Sequence, residues 1–345
     1  MDSAAHSLIG VPQEADDVCA LPLVRRLSAT LDIDPSRWRE GDALPRGWHL
    51  AFFTVDTPHS KVRADGLAGL GVKLPDLGLP RIVFGGRTIE FHGDIPIGAH
   101  IRRVSRLTSV VPKEGRSGRL AVATIEHRIF LAGASEPVIT ELHNYVMRDA
   151  AQPVVAGGVA GAVGVAVAGA VDAAANDAGA TAAGAAVTGD KPNGRPVAPV
   201  AAMPEPALQR IVVPDEILLF RVSAVMFNPH RIHYDLPYAT ATEGYPALVV
   251  NGSVTALLLL EFFRTESGGE PQSIALRNRS VAFCGQPLRL NAIPGEREWR
   301  VWADNARGGV IVEGTMRAAA ASAPASAPAS APASAPASAP ASVPT

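Results

Sequence analysis

The chain has 345 residues, with 31 Lys and Arg against 33 Asp and Glu, for a net charge of −2. That length allows about two domains, and basic residues scattered without aromatic neighbours argue against a nucleic-acid partner. Two cysteines, Cys19 and Cys284, are too few for a disulfide framework and show no zinc-ligand spacing; no basic start followed by an apolar run marks a secretory leader, so the expected location is cytoplasmic.

Residues 1–20 are polar and mixed and read as a frayed lead-in. A helix is expected from Leu21 to Leu31, and Asp34-Pro35-Ser36 is a fresh start signal. Asp42 to Phe53 puts Pro45 near a helix start with apolar residues behind it. Thr57 to Pro80 is a long loop containing Gly and Pro, of a length that is usually functional or disordered. Strand signals follow at Arg81–Phe84, with a turn or bulge at Gly85-Gly86, and at Arg87–His92. Ile101–Pro112 and Leu120–Leu131 alternate in the same way around a hairpin at Gly115-Arg116-Ser117-Gly118, and Ile139–Met147 adds another strand. A helix followed by an antiparallel meander defines a first unit, residues 21–149.

Residues 150–206 change character. Val154–Val171 is Val, Gly and Ala alone, long enough and uncharged enough to span a bilayer. Ala and Gly contribute little transfer energy, however, and basic or aromatic flanks are missing. The expectation is therefore a disordered inter-domain linker and no membrane. A second unit covers residues 207–317, opening at Ile211–Pro214 and a strand at Ile217–Ser223. From 318 to 345 the chain repeats Ala-Ser-Ala-Pro. A Pro every fourth residue blocks helix and sheet alike, so this tail is expected to be disordered.

The stretch from Phe220 to Arg264 organises the rest. A polar run, Asn228-Pro229-His230-Arg231-Ile232-His233-Tyr234-Asp235, leads to a loop closed by Gly244-Tyr245-Pro246. An apolar helix then opens at Asn251-Gly252-Ser253, with Ser253 the expected N-cap, and Ser267-Gly268-Gly269 ends it. A helix apolar on nearly every side must be wrapped by something, and Ser273–Leu290 and Arg297–Thr315 alternate as strands. A sheet wrapped round one long helix is the hotdog arrangement. The polar run resembles the hydratase motif of MaoC-like hotdog enzymes. The closer likeness is to the double-hotdog branch of type 2 hydroxyacyl-thioester dehydratases and mesaconyl-CoA or itaconyl-CoA hydratases. Pro80-Arg81, Gly85-Gly86-Arg87, Glu90-Phe91, Gly98 and Gly115–Gly118 resemble that family's first half. The resemblance implies an α+β double hotdog: two antiparallel sheets, each wrapped round a helix, the first one shortened, joined by the linker, with the long loop bordering the cleft.

It also implies the chemistry of adding or removing water at the double bond of an acyl-CoA thioester. Such a reaction needs a base for water, an acid for the α-carbon and donors for the thioester oxygen. His233 matches the family's histidine and can serve as base in one direction and acid in the other. Five residues earlier stands Asn228, where the family has Asp; with the Asn-Pro pairs aligned instead, that position falls on Met226. Asn228 can orient a water through its carbonyl, and His230 is the next candidate. Asp235 either holds His233 in one tautomer or fixes the loop, and Arg231 faces solvent or a phosphate. Oxyanion donors are expected at Gly252 and its neighbours Asn251 and Ser253, where the helix dipole favours negative charge; the family usually has His where Asn251 stands. Lys113, Arg116 and Arg119 either meet the CoA diphosphate or form a solvated hairpin tip. No metal and no cofactor beyond the CoA of the substrate is expected. The alternatives are a dehydratase of fatty-acid synthesis, a thioesterase and a non-catalytic acyl-CoA-binding protein. A double hotdog is already a pseudo-dimer, which permits a monomer or a homodimer.

Overall fold

The computed structural model describes residues 7–115, 118–148 and 203–318. The linker expectation falls almost wholly outside the described residues, as do the tail and the hairpin tip at Arg116 and Ser117. The first half carries strands β1 (Gln13–Val18), β2 (Arg81–Phe91), β3 (His100–Gly115), β4 (Gly118–Leu131) and β5 (Ile139–Arg148), with helix α1 over Leu21–Thr30. The second carries β6 (Leu208–Val212), α2 (Glu216–Val225), α3 (Gly252–Ser267), β7 (Pro271–Asn278), β8 (Leu288–Ile293), β9 (Glu298–Asn305) and β10 (Val310–Ala318).

The two antiparallel sheets meet edge to edge. Their order is β1-β3-β4-β5-β2 and then β7-β10-β9-β8-β6, so that one ten-stranded sheet runs through the seam between β2 and β7. The seam runs from Gly86 opposite Arg277 to Glu90 opposite Ser273. Gly85-Gly86 is the expected bulge, lying where the β2 register against β5 shifts between Phe84 and Gly86. Gly86 has φ +150°, and a Cβ there would stand 2.3 Å from the Leu276 carbonyl oxygen. The extra residue turns both Phe84 and Arg87 to the same face of β2, where strict alternation would separate them.

Helix α3 is the wrapped element. Val254, Ala256, Leu257, Leu259, Leu260, Phe262 and Phe263 are all buried, and each such Leu or Phe contributes about 1.5–3 kcal/mol when taken from water. Asn251, not Ser253, is the N-cap: its Oδ1 accepts from the Ser253 N–H at 2.8 Å. Gly268, at φ +69°, ends the helix. In the first half the corresponding position holds only a short 3-10 turn, Trp48–Ala51. The two are tied together: Trp48 Nε1 donates to Glu261 Oε1 at 2.7 Å, and Arg264 donates to Glu270 and to the Arg46 carbonyl.

Two further local expectations are corrected. Ile217–Ser223 is helical, not extended. The Asp215 side chain caps it by accepting from the Leu218 N–H at 2.8 Å, and Glu216 favours the first turn. Within the supposed lead-in, Gln13–Val18 pairs with β3, from Gln13 opposite Ser105 to Val18 opposite His100. Among the described residues, no helix is long and apolar enough to cross a membrane.

Candidate active site

The wrapped helix starts at the floor of a cavity of about 730 Å³ that both halves line. From the second half come Asn228, His230, His233, Asn251, Gly252 and Ser253. The structure therefore brings six of the eight candidates from the polar run and the helix tip to one cavity. Arg231 and Asp235 do not line it. Instead Arg231 Nη2 donates to Asp235 Oδ2 at 2.8 Å, Nη1 donates to the Ala64 carbonyl at 3.2 Å, and the guanidinium sits 4.0 Å over the Tyr238 ring. The Arg231 N–H also donates to the Asp65 carbonyl at 2.9 Å. Together these contacts clamp the polar run to the long loop. The close approach requires Gly66, at φ +86°, where a Cβ would be 1.9 Å from the Pro229 oxygen. Lys113 and Arg119 do not line the cavity either, and Arg119 donates to the Leu77 carbonyl at 3.3 Å.

His233 is buried, and its Nδ1 lies 2.7 Å from the Val249 carbonyl oxygen. A carbonyl can only accept, so Nδ1 carries the proton and Nε2 keeps its lone pair. The tautomer is thus set by the backbone two residues before Asn251, and the Asp235 carboxylate, turned to Arg231 and the Tyr238 N–H, has no part in it. Burial pushes the imidazole down to about 4, partly opposed by the Val249 hydrogen bond. His230 packs edge-on against it, with centroids 5.4 Å apart, and burial lowers its pKa too. Asn228 Oδ1 accepts from the His230 N–H at 3.1 Å, which leaves one carbonyl lone pair for another donor.

At the helix tip the Ser253 N–H is used by Asn251 Oδ1 and the Val254 N–H by the Asn251 carbonyl. The Gly252 N–H has no acceptor among the described residues. A methyl group at Gly252 would find only ordinary contacts, Asn278 Nδ2 at 3.6 Å and Phe84 Cδ1 at 4.0 Å. One face of the helix N-terminus is therefore open to an anionic oxygen.

The opposite wall comes from the first half, and no sequence motif pointed to it. Buried Glu141 accepts from His143 Nε2 at 2.6 Å, from His49 Nε2 at 3.3 Å and from Arg87 Nη1 at 3.4 Å. Burial alone would raise its carboxyl; His143, His49 and Arg87 hold it well below the usual carboxylate range. Burial lowers His143 and His127 in turn. With both rings neutral, the proton positions follow. His143 Nε2–H donates to Glu141, His127 Nε2–H donates to His143 Nδ1 at 3.2 Å, and Ser105 Oγ–H donates to His127 Nδ1 at 2.8 Å. Tyr145, its hydroxyl pushed up to about 12 by burial, reaches His143 Nδ1 at 3.4 Å. Strand register assembles this wall, because His127 lies opposite Glu141 and Ser105, and His143 opposite Arg87.

Residues 181–284 match the family model for hydroxyacyl-thioester dehydratase type 2. The chain is 32% identical over 286 residues to the mesaconyl-C(4)-CoA hydratase of Chloroflexus aurantiacus, covering 83% of this chain and 87% of that protein. Over 83 residues it is 40% identical to the mitochondrial hydroxyacyl-thioester dehydratase type 2 of Schizosaccharomyces pombe, covering 23% of this chain and 28% of that one. In fold it resembles a MaoC-like dehydratase from Phytophthora capsici (TM-score 0.60, 12% identity, 92% of this chain and 98% of that one). It also resembles HtdX of Mycobacterium tuberculosis (TM-score 0.55, 14% identity, 90% of this chain and all of that one). The chain belongs to the MaoC-like double-hotdog family of hydroxyacyl-thioester dehydratases and acyl-CoA hydratases, and is a hydro-lyase.

Proposed function

We propose that the protein adds water to, or removes it from, the double bond of a short branched or dicarboxylic enoyl-CoA of the mesaconyl-CoA or itaconyl-CoA type. His233 Nε2 takes a proton from water as the oxygen bonds to the β-carbon. The π electrons move onto the thioester oxygen, which the Gly252 N–H and the dipole of α3 hold, with Asn251 and Ser253 shaping the helix tip. The imidazolium then returns the proton to the α-carbon and the thioester carbonyl re-forms, so one water is added in all. An imidazole near 4 is a weak base but a strong acid, which suits the return step. Asn228, through its remaining lone pair, and His230 position the attacking water. The reaction asks for no cofactor beyond the CoA of the substrate, and we place it in the cytoplasm.

The observation that carries the choice of acyl group is the wall facing α3, where Arg87, His127, Glu141 and His143 line the cavity. A long alkyl tail would lie against these polar and charged groups without gaining a hydrogen bond there. The S. pombe relative, a hydroxyacyl-thioester dehydratase type 2, supports the alternative of a 3-hydroxyacyl-thioester dehydratase of fatty-acid synthesis; the same wall disfavours a long alkyl chain. Purified protein incubated with mesaconyl-CoA, crotonyl-CoA and a long-chain enoyl-CoA, followed by loss of enoyl-thioester absorbance, separates the readings. We expect turnover of the short acyl groups and little of the long one. Turnover of none refutes a hydratase, and release of free thiol without hydration indicates a thioesterase.

A further inference from the structure

The first-half wall contains one cation, Arg103, that feels Glu141 and Asp17 only at a distance and makes no direct ion pair among the described residues. Arg103, on β3, lines the cavity. Its Nε is fully enclosed, and the side chain makes no hydrogen bond or ion pair among the described residues. Its guanidinium lies 5.0 Å over the ring of Phe53, another cavity residue, whose backbone is held left-handed at φ +56°. The nearby carboxylates are already engaged. Glu141 is shared by His49, Arg87 and His143. Asp17 accepts from the Phe53 N–H on Oδ2 and from the Val18 N–H on Oδ1, both at 2.7 Å. A guanidinium offers five N–H donors in a planar fork suited to a carboxylate; the Nε donor is enclosed without an acceptor, while the half-buried terminal nitrogens remain free to meet one.

Arg103 also stands at a useful place. A methyl group at Gly252 would touch Phe84 at 4.0 Å, and the Arg87 guanidinium lies 4.8 Å over that same ring. One ring, that of Phe84, therefore stands between the helix tip and Arg87. Opposite Arg103 in the sheet is Ile129, also at the cavity, and His127 lies two residues further along β4. Arg103 and Gly252 line the same cavity.

We infer that Arg103 receives the free carboxylate of a dicarboxylic acyl group, at the end remote from the thioester, and so acts as the specificity-determining residue of the cavity. The inference rests on the acyl-CoA reading above but does not depend on turnover. Its test is therefore equilibrium binding of saturated thioesters that have no double bond to hydrate. Succinyl-CoA carries the carboxylate, and butyryl-CoA is its uncharged counterpart. The wild-type protein is expected to bind succinyl-CoA about 10- to 100-fold more tightly, the range for a charge-assisted pair. Arg103→Gln should abolish that preference and leave butyryl-CoA affinity within about twofold, and Arg103→Lys should restore part of it. Equal wild-type affinity for the two thioesters overturns the inference, whether or not the variants fold. So does a preference that survives Arg103→Gln, or a variant that weakens both ligands equally, which would place the guanidinium on the CoA phosphates. Failure of the hydratase reading would appear separately, as absent turnover of mesaconyl-CoA by a protein that still prefers succinyl-CoA.

Discussion

Lowering the pH should destabilise this protein through His233 in a way that can be isolated. The imidazole ordinarily titrates at 6.5; in the folded protein burial holds it at about 4. The unfolded chain therefore takes up the proton first as pH falls. The stability is fully present above the unfolded pKa and is lost between about 6.5 and 4. At 1.36 kcal/mol per pKa unit, the full loss is about 3 kcal/mol, a large fraction of a typical 5–15 kcal/mol total. The assay is urea unfolding of wild type and His233→Gln at pH 7 and pH 4. His127, His143 and His230 are also lowered by burial, but they remain in both proteins and drop out of the difference. Wild type should lose about 3 kcal/mol more than the variant between the two pH values. Parallel losses would refute the enclosed, neutral imidazole. The acid limb of kcat/KM should likewise fall near pH 4 to 5, well below the ordinary histidine value.

Other substitutions test the frame and the helix tip. Gly86→Ala places a methyl 2.3 Å from the Leu276 oxygen at φ +150°. It should destabilise the protein by about 2 kcal/mol or more, measured by urea unfolding. Trp48→Phe removes the Nε1 donor from Glu261 at the junction between the halves and should cost about 1–2 kcal/mol in the same measurement. Gly252→Ala meets only ordinary contacts, so the melting temperature should barely change. Its kcat/KM should nevertheless drop about tenfold or more, because the methyl crowds the oxygen's approach to the helix tip.

The second-half side of the site was legible because it is contiguous in sequence. Asn228, His230, His233 and Asn251–Ser253 sit within one motif and one helix start, and α3 announced itself by apolar residues on every face. The role open to Asp235 is narrowed by geometry: its carboxylate fixes the loop through Arg231 and Tyr238, while Val249 fixes the imidazole. The first-half wall was not legible, since its members lie on four strands, which register brings together, and on the 3-10 turn that carries His49. A signal was nevertheless present. Ile139 and Met147 are buried at the two ends of the alternating set that contains Glu141, His143 and Tyr145, which marks that set as inward-facing. His127 likewise stands in the inward column of Ala121, Ala123, Ile125 and Ile129. Polar residues in an inward column read easily as a solvent face when the column's apolar ends are overlooked. The short apolar run of α2 fits either period and so reads as a strand; the Asp215 cap settles it as a helix. In β1 the sequence Gln-Glu-Ala-Asp-Asp-Val carries almost no apolar alternation; it is an edge strand held by its ladder to β3.

The most direct measurement is the initial rate of mesaconyl-CoA hydration by wild type and by His233→Ala at neutral pH. Melting curves would confirm that both proteins are folded. Loss of the general base should lower kcat by about 10²- to 10⁴-fold. A variant that hydrates the thioester as fast as wild type would contradict the assignment of the chemistry to the imidazole beside the tip of α3.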